Sequence, residues 1–364
     1  LYRHNFTTFV PQKKELNLTL QQRIELLAEL GRYLKTNLDD PALQQVIQQS
    51  WMENKWFVKE NTEQALLAIG QQMLDESLLQ QWAAHYALHT SNHPEKNIGI
   101  VMAGNIPLVG FHDWLCVFVA GERARVKLSA KDRLLLPFLV QLIGQWEPIS
   151  REYTYFCSEQ EPLKGFDAVI ATGSNNTARY FEQYFAAYPH IIRQNRNSVA
   201  VLDGSETTED FRALGKDIFS YFGLGCRNVS KLYVPSDYSF DSLLETLHEY
   251  RELANHDKYR NNFDYNMTLF LLNNLPFLHN GCLILRAEES IPARIASVHY
   301  SSYENEAELA QELLSHRDQI QCVIGKKQIG PVSVIPFGQS QAPTLSDYPD
   351  GVDVMAWLTN LNRQ

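Results

Sequence analysis

The sequence predicts an α/β protein made of two doubly wound domains behind a helical N-terminal segment. Three observations carry this. The first ninety residues repeat apolar side chains at helical spacing; the remainder alternates short apolar runs with amphipathic stretches; and turn residues punctuate the alternation. With 364 residues, 45% of them hydrophobic and 20% charged, the chain can bury two separate cores.

In the opening segment Leu18, Leu20, Ile24, Leu26, Leu27 and Leu30 form an amphipathic run, and further helices are expected over 43–51, 63–74 and 78–88. The character changes at Asn97. There NIGIVMAG reads as a buried strand closing on a turn, 107–120 as a helix stopped by Gly121, and 124–128 as a second strand. Strand, helix, strand is a parallel crossover unit. The alternation continues through strands at 153–157 and 166–171, a helix at 177–187, a strand at 198–202 and a helix at 209–222. A second set follows, with a strand from Lys231, a helix over 240–253, strands near Leu283, Ala296 and Val323, a helix over 304–314 and a last strand at 332–335. Two successive sets predict a boundary near Asp203, with 1–203 in one unit and 204–364 in the other.

Charge and composition remove several function classes. The 32 basic and 42 acidic residues leave a net charge of -10, a field that repels phosphate backbones and anionic lipid surfaces, so nucleic-acid binding is not expected. No apolar run approaches the roughly 18 residues of a membrane helix, and the opening LYRHNFTTFVPQKKEL lacks the apolar centre of a signal peptide. Five cysteines, at 116, 157, 226, 282 and 322, are an odd number without a C-x-x-C pair, which predicts free thiols in a reducing cytoplasm rather than disulfides or structural zinc. His85, His89 and His93 recur every fourth residue, but Pro94 and Ser91-Asn92 end the helix there and no carboxylate or cysteine completes a set, so no metal site is expected.

Four short motifs could carry chemistry. In FGLGCRNVSKLYV, Gly223 and Gly225 allow close backbone approach before Cys226, and Arg227 could stabilise its thiolate; the competing reading is a helix end with an inert cysteine. In AGNIPL, Asn105 follows a strand, where its amide could donate to a developing oxyanion or simply cap a helix. In VKLSAKDR, Lys127 and Ser129 at a strand's end could hold a ribose or a phosphate, or form an ordinary turn. In ATGSNNTARYF, Gly173 and Ser174 open a helix after a strand, a corner suited to a dinucleotide phosphate, although one glycine is far from a full G-x-G-x-x-G.

Taken in order, N-x-P-L, A-G, K-x-S, T-G-S and G-x-x-C resemble the aldehyde dehydrogenase superfamily from about Asn97 to Val234. With NKWFVKEN near the start and IGPVSVIPFG near the end, the whole chain looks most like the bacterial acyl-CoA reductases of the bioluminescence fatty-acid reductase type. The resemblance implies an aldehyde-dehydrogenase-like fold, with a Rossmann-type cofactor domain in 1–203 and a catalytic domain in 204–364. It implies Cys226 as nucleophile, Asn105 and the Cys226 N–H as oxyanion donors, Lys127 and Ser129 on the adenosine ribose, and Gly173 and Ser174 near the pyrophosphate. It also suggests a homo-oligomer.

Departures from the family pattern sharpen the expectation. The family's E-L-G-G-K supplies a glutamate that activates water, but RQNRNSVAVLD places Arg193 there, which disfavours hydrolysis and favours exchange of an acyl group with coenzyme A. Ala130, with Lys131 beside it, replaces the glutamate of K-P-S-E that would repel a 2′-phosphate, so NADPH is the expected cofactor, with NADH as the alternative. Lys327 stands at the glutamate of E-x-F-G-P-V, so the family's grip on the nicotinamide ribose is altered. The expected activity is NADPH-dependent reduction of an acyl thioester, such as an acyl-CoA, to the aldehyde through an S-acyl cysteine, with acyl groups fed by a separate acyl-transferring enzyme. The rivals are an acyl-phosphate reductase of the same fold and a non-catalytic binding or assembly module.

Overall fold

A computed structural model describes residues 17–86, 88 and 95–361. The helical segment comprises α1 (Leu20–Thr36), α2 (Pro41–Glu53), α3 (Lys59–Gln72) and α4 (Glu76–Ala84). Side-chain caps start three of them. Thr19 and Gln22 form a reciprocal capping box on α1, while Asp40 and Asp75 accept the orphan amides that open α2 and α4. Helix α4 stops earlier than expected, at Ala84. His85 closes it by hydrogen-bonding the Gln81 carbonyl, and the other two histidines of that run lie outside the described residues.

The first sheet contains β1 (Asn97–Val101), β2 (Arg123–Lys127), β3 (Thr154–Phe156), β4 (Ala168–Thr172) and β5 (His190–Arg193), with α5 (Phe111–Ala120), α6 (Leu135–Trp146) and α7 (Asn175–Tyr184) in its connections. Its strands are all parallel in the order β3-β2-β1-β4-β5, so the winding reverses between β1 and β4. At such a switch point the loops at the carboxyl ends splay apart and leave a crevice. The helical segment packs on this unit. The buried Arg23 of α1 donates to the Val119 carbonyl near the end of α5, where the helix dipole favours a cation.

The second unit comprises β6 (Asn197–Val201), α8 (Thr208–Phe219), β7 (Val229–Pro235), α9 (Asp241–Leu247), α10 (Asp257–Leu272), β8 (Leu278–His279), β9 (Ile284–Ala287), β10 (Ser297–Tyr303), α11 (Glu306–Ser315), β11 (Ile320–Ile324), β12 (Val334–Ile335) and α12 (Val354–Leu361). Its seven-stranded sheet runs β12-β11-β6-β7-β10-β9-β8 and is parallel except for β8 at one edge. Strand β6 pairs with β7 and β11, so the sheets change over between Arg193 and Asn197, one strand before the boundary expected at Asp203. The final segment also departs from a simple division at that point. Helix α12 returns to the first unit and buries Val354, Met355, Leu358 and Leu361 in its core. Among the described residues, no helix is long and apolar enough to cross a membrane.

Candidate active site

The carboxyl edge of the first sheet faces the amino ends of strands in the second, and a cavity of about 900 Å³ lies between them. The two sheets contribute different chemistry to its wall. From the first come Gly104, Asn105, Ser129, Lys131, Gly173, Ser174 and Arg193; from the second come Cys226, Arg227 and Gln321; and from the C-terminal return come Asp347 and Asp350.

Cys226 owes its position to a broken helix. The sequence pattern runs on to Phe222, but α8 ends at Phe219, and Tyr221, Phe222 and Gly223 all take left-handed backbone angles, with φ of 53°, 59° and 76°. Only glycine adopts these freely, so the two aromatics are held by packing: Phe222 lies 5.3 Å from Trp56 and 4.5 Å from His256 between ring centres. The buried Asn228 ties the next turn. Its Oδ1 accepts the Gly225 N–H at 2.8 Å, and its Nδ2 donates to the Asp217, Ile218 and Ser220 carbonyls. Sequence reasoning passed over Asn228, because an asparagine two residues after a cysteine carries no signal until the turn closes around it.

Asn105 meets that turn from the other unit. Its Nδ2 donates to the Leu224 carbonyl at 2.7 Å, which uses one amide proton and leaves the second for an oxygen developing charge nearby. The expected helix from 107 starts only at Phe111. Before it, Leu108 sits at φ 58° with its N–H on Asp132 Oδ2 at 2.8 Å, so Asp132 secures the Asn105 loop. Burial raises the Asp132 carboxyl to about 6.

The Cys226 thiol is pushed up to about 11 by burial, while Arg227 pulls it back and Asp350 reinforces the rise. At neutral pH it therefore rests protonated. Arg193, expected from the sequence to stand at the place of a water-activating glutamate, grips Asp113 through Nη2–Oδ1 at 2.7 Å and Nε–Oδ2 at 3.3 Å and donates to the Pro349 carbonyl. Both partners are buried. An arginine so committed cannot activate water as a base.

The nicotinamide-cofactor residues expected from sequence divide. Gly173 and Ser174 lie where α7 begins, with Ser174 Oγ capping the helix on the Thr177 N–H at 3.3 Å, and the first turn carries no acidic side chain to oppose a phosphate. Backbone approach is close: a β-carbon on Gly173 would lie 2.9 Å from Thr177 Cβ, and one on Gly104 would lie 2.6 Å from Ser129 Oγ. Ser129 and Lys131 both line the cavity. Lys127 does not. Its ammonium donates at 2.6–2.8 Å to the carbonyls of Ser158, Glu159 and Glu161, which employs all three protons. Lys327 is likewise absent from the cavity wall and pairs with Asp203 at 2.6 Å. The corner thus fits a dinucleotide through Gly173, Ser174, Ser129 and Lys131, without Lys127 or Lys327.

A five-stranded parallel sheet wound from its centre, joined to a second, mostly parallel sheet that presents a cysteine loop to the first sheet's carboxyl edge, defines a two-domain α/β fold with a cavity between the sheets. Solved structures share it. An indole-3-acetaldehyde dehydrogenase from P. syringae superposes with a TM-score of 0.63 at 11% identity, covering 88% of this chain and 76% of its own. An NAD-dependent benzaldehyde dehydrogenase from Corynebacterium glutamicum gives 0.63 at 10%, covering 94% and 84%. An oxidoreductase from Marinobacter aquaeolei gives 0.64 at 12%, covering 90% and 80%. The chain has the aldehyde dehydrogenase fold. No protein-family model and no curated protein sequence matches it.

Proposed function

We propose that this protein is a nicotinamide-dependent acyl-thioester reductase, which takes an acyl group onto Cys226 and releases it as an aldehyde. The observation that carries the reading is the joining of Asn105 to the Cys226 loop in a cavity whose water-activating position is an ion-paired arginine. A cysteine acylated there meets an oxyanion donor but no hydrolytic base at Arg193, so its thioester awaits a thiol or a hydride. Cys226 Sγ attacks the carbonyl carbon, Asn105 Nδ2 and the Cys226 N–H stabilise the oxyanion, and the carrier thiol departs. NADPH, held by Gly173, Ser174 and Ser129, would supply hydride to the acyl carbon. Lys131, for which no ion pair is formed among the described residues, favours the cofactor bearing a 2′-phosphate. Ala65, Ala68 and Ile69 of α3 and Met73 just after it, with Leu108 and Phe111, give the cavity an apolar lining suited to a hydrocarbon acyl chain.

Charge favours a thioester over an acyl phosphate. Arg193, Arg196 and Arg227 are matched by Asp113, Asp350 and Asp347, so the cavity around the thiol offers no unpaired basic pocket. The test is mass spectrometry of the protein incubated with a long-chain acyl-CoA and no cofactor, followed by peptide mapping. An acyl group on Cys226 that leaves as aldehyde after NADPH is added supports the reading, and Cys226→Ala should take up none. Labelling by acyl phosphate alone, or by no donor, overturns it.

A further inference from the structure

Among the described residues, the cavity wall carries hydroxyls from Ser129, Thr172, Ser174, Thr177 and Tyr221. The first four stand on the loops that follow β2 and β4, on the cofactor side, and Ser129, Ser174 and Thr177 engage their hydroxyls within their own turns. Tyr221 alone comes from the second unit. It is only 6% exposed, yet its hydroxyl bonds to no described residue. Nor is that oxygen sealed inside the protein, as the unpartnered Tyr233 hydroxyl is. A ring so buried, with its oxygen left open, presents the oxygen to the space the residue lines.

Tyr221 is put there by an unusual backbone. Helix α8 ends at Phe219, and Tyr221 takes φ 53°, a conformation few residues other than glycine adopt. Phenylalanine would fill the ring's place as well; a hydroxyl desolvated without a protein partner is a cost that packing does not repay, and tyrosine oxygens in such places ordinarily find an acceptor. The same turn fixes where along the cavity the residue stands. The Tyr221 carbonyl accepts the Leu224 N–H at 3.1 Å, and the Leu224 carbonyl accepts Asn105 Nδ2 at 2.7 Å, two residues before Cys226. Tyr221 and Asn105 are thus bonded to one residue of the cysteine turn.

Resting on the reading that Cys226 is acylated, we propose that Tyr221 is a substrate-binding residue whose hydroxyl donates a hydrogen bond to a carbonyl oxygen of the acyl thioester. The acceptor is the thioester carbonyl or an amide carbonyl of the carrier arm, both neutral oxygens that a phenol binds without giving up its proton. Burial pushes the phenol up to about 12, which keeps it a donor across the neutral range. One such donor in an otherwise apolar stretch of wall selects ligands that carry an acceptor over plain hydrocarbons.

Tyr221→Phe in the full chain removes the hydroxyl and keeps the ring. Acylation of Cys226 by a long-chain acyl-CoA at subsaturating concentration, followed by rapid-quench mass spectrometry without cofactor, should slow about tenfold. Modification of the same cysteine by methyl methanethiosulfonate, which carries no carbonyl, should stay within about twofold of the parent. Acylation within about twofold of the parent, or a matching loss in both reactions, overturns the assignment. The S-ethyl thioester of the same acyl chain, which has no amide, locates the acceptor: a loss with both donors places it on the thioester carbonyl, and a loss with acyl-CoA alone places it on the carrier. If Tyr221→Phe does not fold, 3-fluorotyrosine at this position decides. Its fluorine resonance should move when acyl-CoA is added to Cys226→Ala protein, and an unmoved resonance at saturation overturns the assignment. A parent that takes no acyl group from acyl-CoA overturns the function reading, whereas a parent acylated no faster than Tyr221→Phe overturns this assignment alone.

Discussion

Asn105 ties its loop to the Leu224 carbonyl, and Asp132 ties the same loop through the Leu108 N–H. Asn105→Ala should reduce turnover by about 10²- to 10³-fold, the usual effect of one oxyanion donor, with acyl-CoA KM less affected; steady-state kinetics check this, and turnover within a few-fold of the parent removes Asn105 from the oxyanion site. Asp132 makes a pH prediction. Burial raises its folded carboxyl to about 6 from an unfolded 3.8, so between those values the folded state binds more protons than the unfolded one. Stability should fall as pH rises through that window, by as much as about 3 kcal/mol from a shift near two units. Asp132→Asn keeps an acceptor for the Leu108 N–H and should flatten the dependence in urea titrations at pH 4 to 7. At this scale the sequence exposed Cys226 and Asn105, because glycines and a strand end mark them. It did not expose Asn228, whose role depends on how the chain from Asp217 to Gly225 folds around it.

The cysteine turn and the α7 corner are the elements that arrange these residues. Asn228→Ala would strip the turn of four hydrogen bonds and leave the Gly225 N–H unsatisfied, a loss of about 1–3 kcal/mol. The melting temperature should drop, and Cys226 alkylation should change even where the fold persists; unchanged alkylation would mean the turn holds its shape without Asn228. Element types were mostly legible where periodicity was strong, as in α1, α3, α8 and β4. Three helices and two short strands, β5 and the two-residue β8, were missed for separate reasons. Pro137 interrupts the pattern of α6 yet sits in its first turn, where no helical hydrogen bond is lost. Helix α10 spreads its apolar residues around its surface, α12 spans only eight residues, and β5 spans four. Such elements are made by what packs on them.

Across the molecule, the C-terminal return binds the two units together. After β12 the chain passes Arg227, the cavity and Arg193, then docks α12 on α5, while Tyr348 accepts the Trp82 indole N–H at 2.8 Å from the helical segment. Leu358→Ala should cost about 2–5 kcal/mol, because it empties a site 1% exposed in the first unit's core. The loss should appear in hydrogen exchange of β1 and α5 as well as α12; a loss confined to α12 would show that the return is only laid on the surface. Composition, periodicity and turn residues by themselves determined a two-unit α/β protein with its cysteine and asparagine loops. All of these are local in the chain. Tertiary structure alone decided that β6 joins the second sheet, that the Lys127 ammonium bonds to carbonyls rather than lining the cavity, and that Asp113 and Asp350 flank Arg193. Those outcomes depend on which distant segments meet, and that is set by packing and burial over the whole fold, which local spacing does not encode.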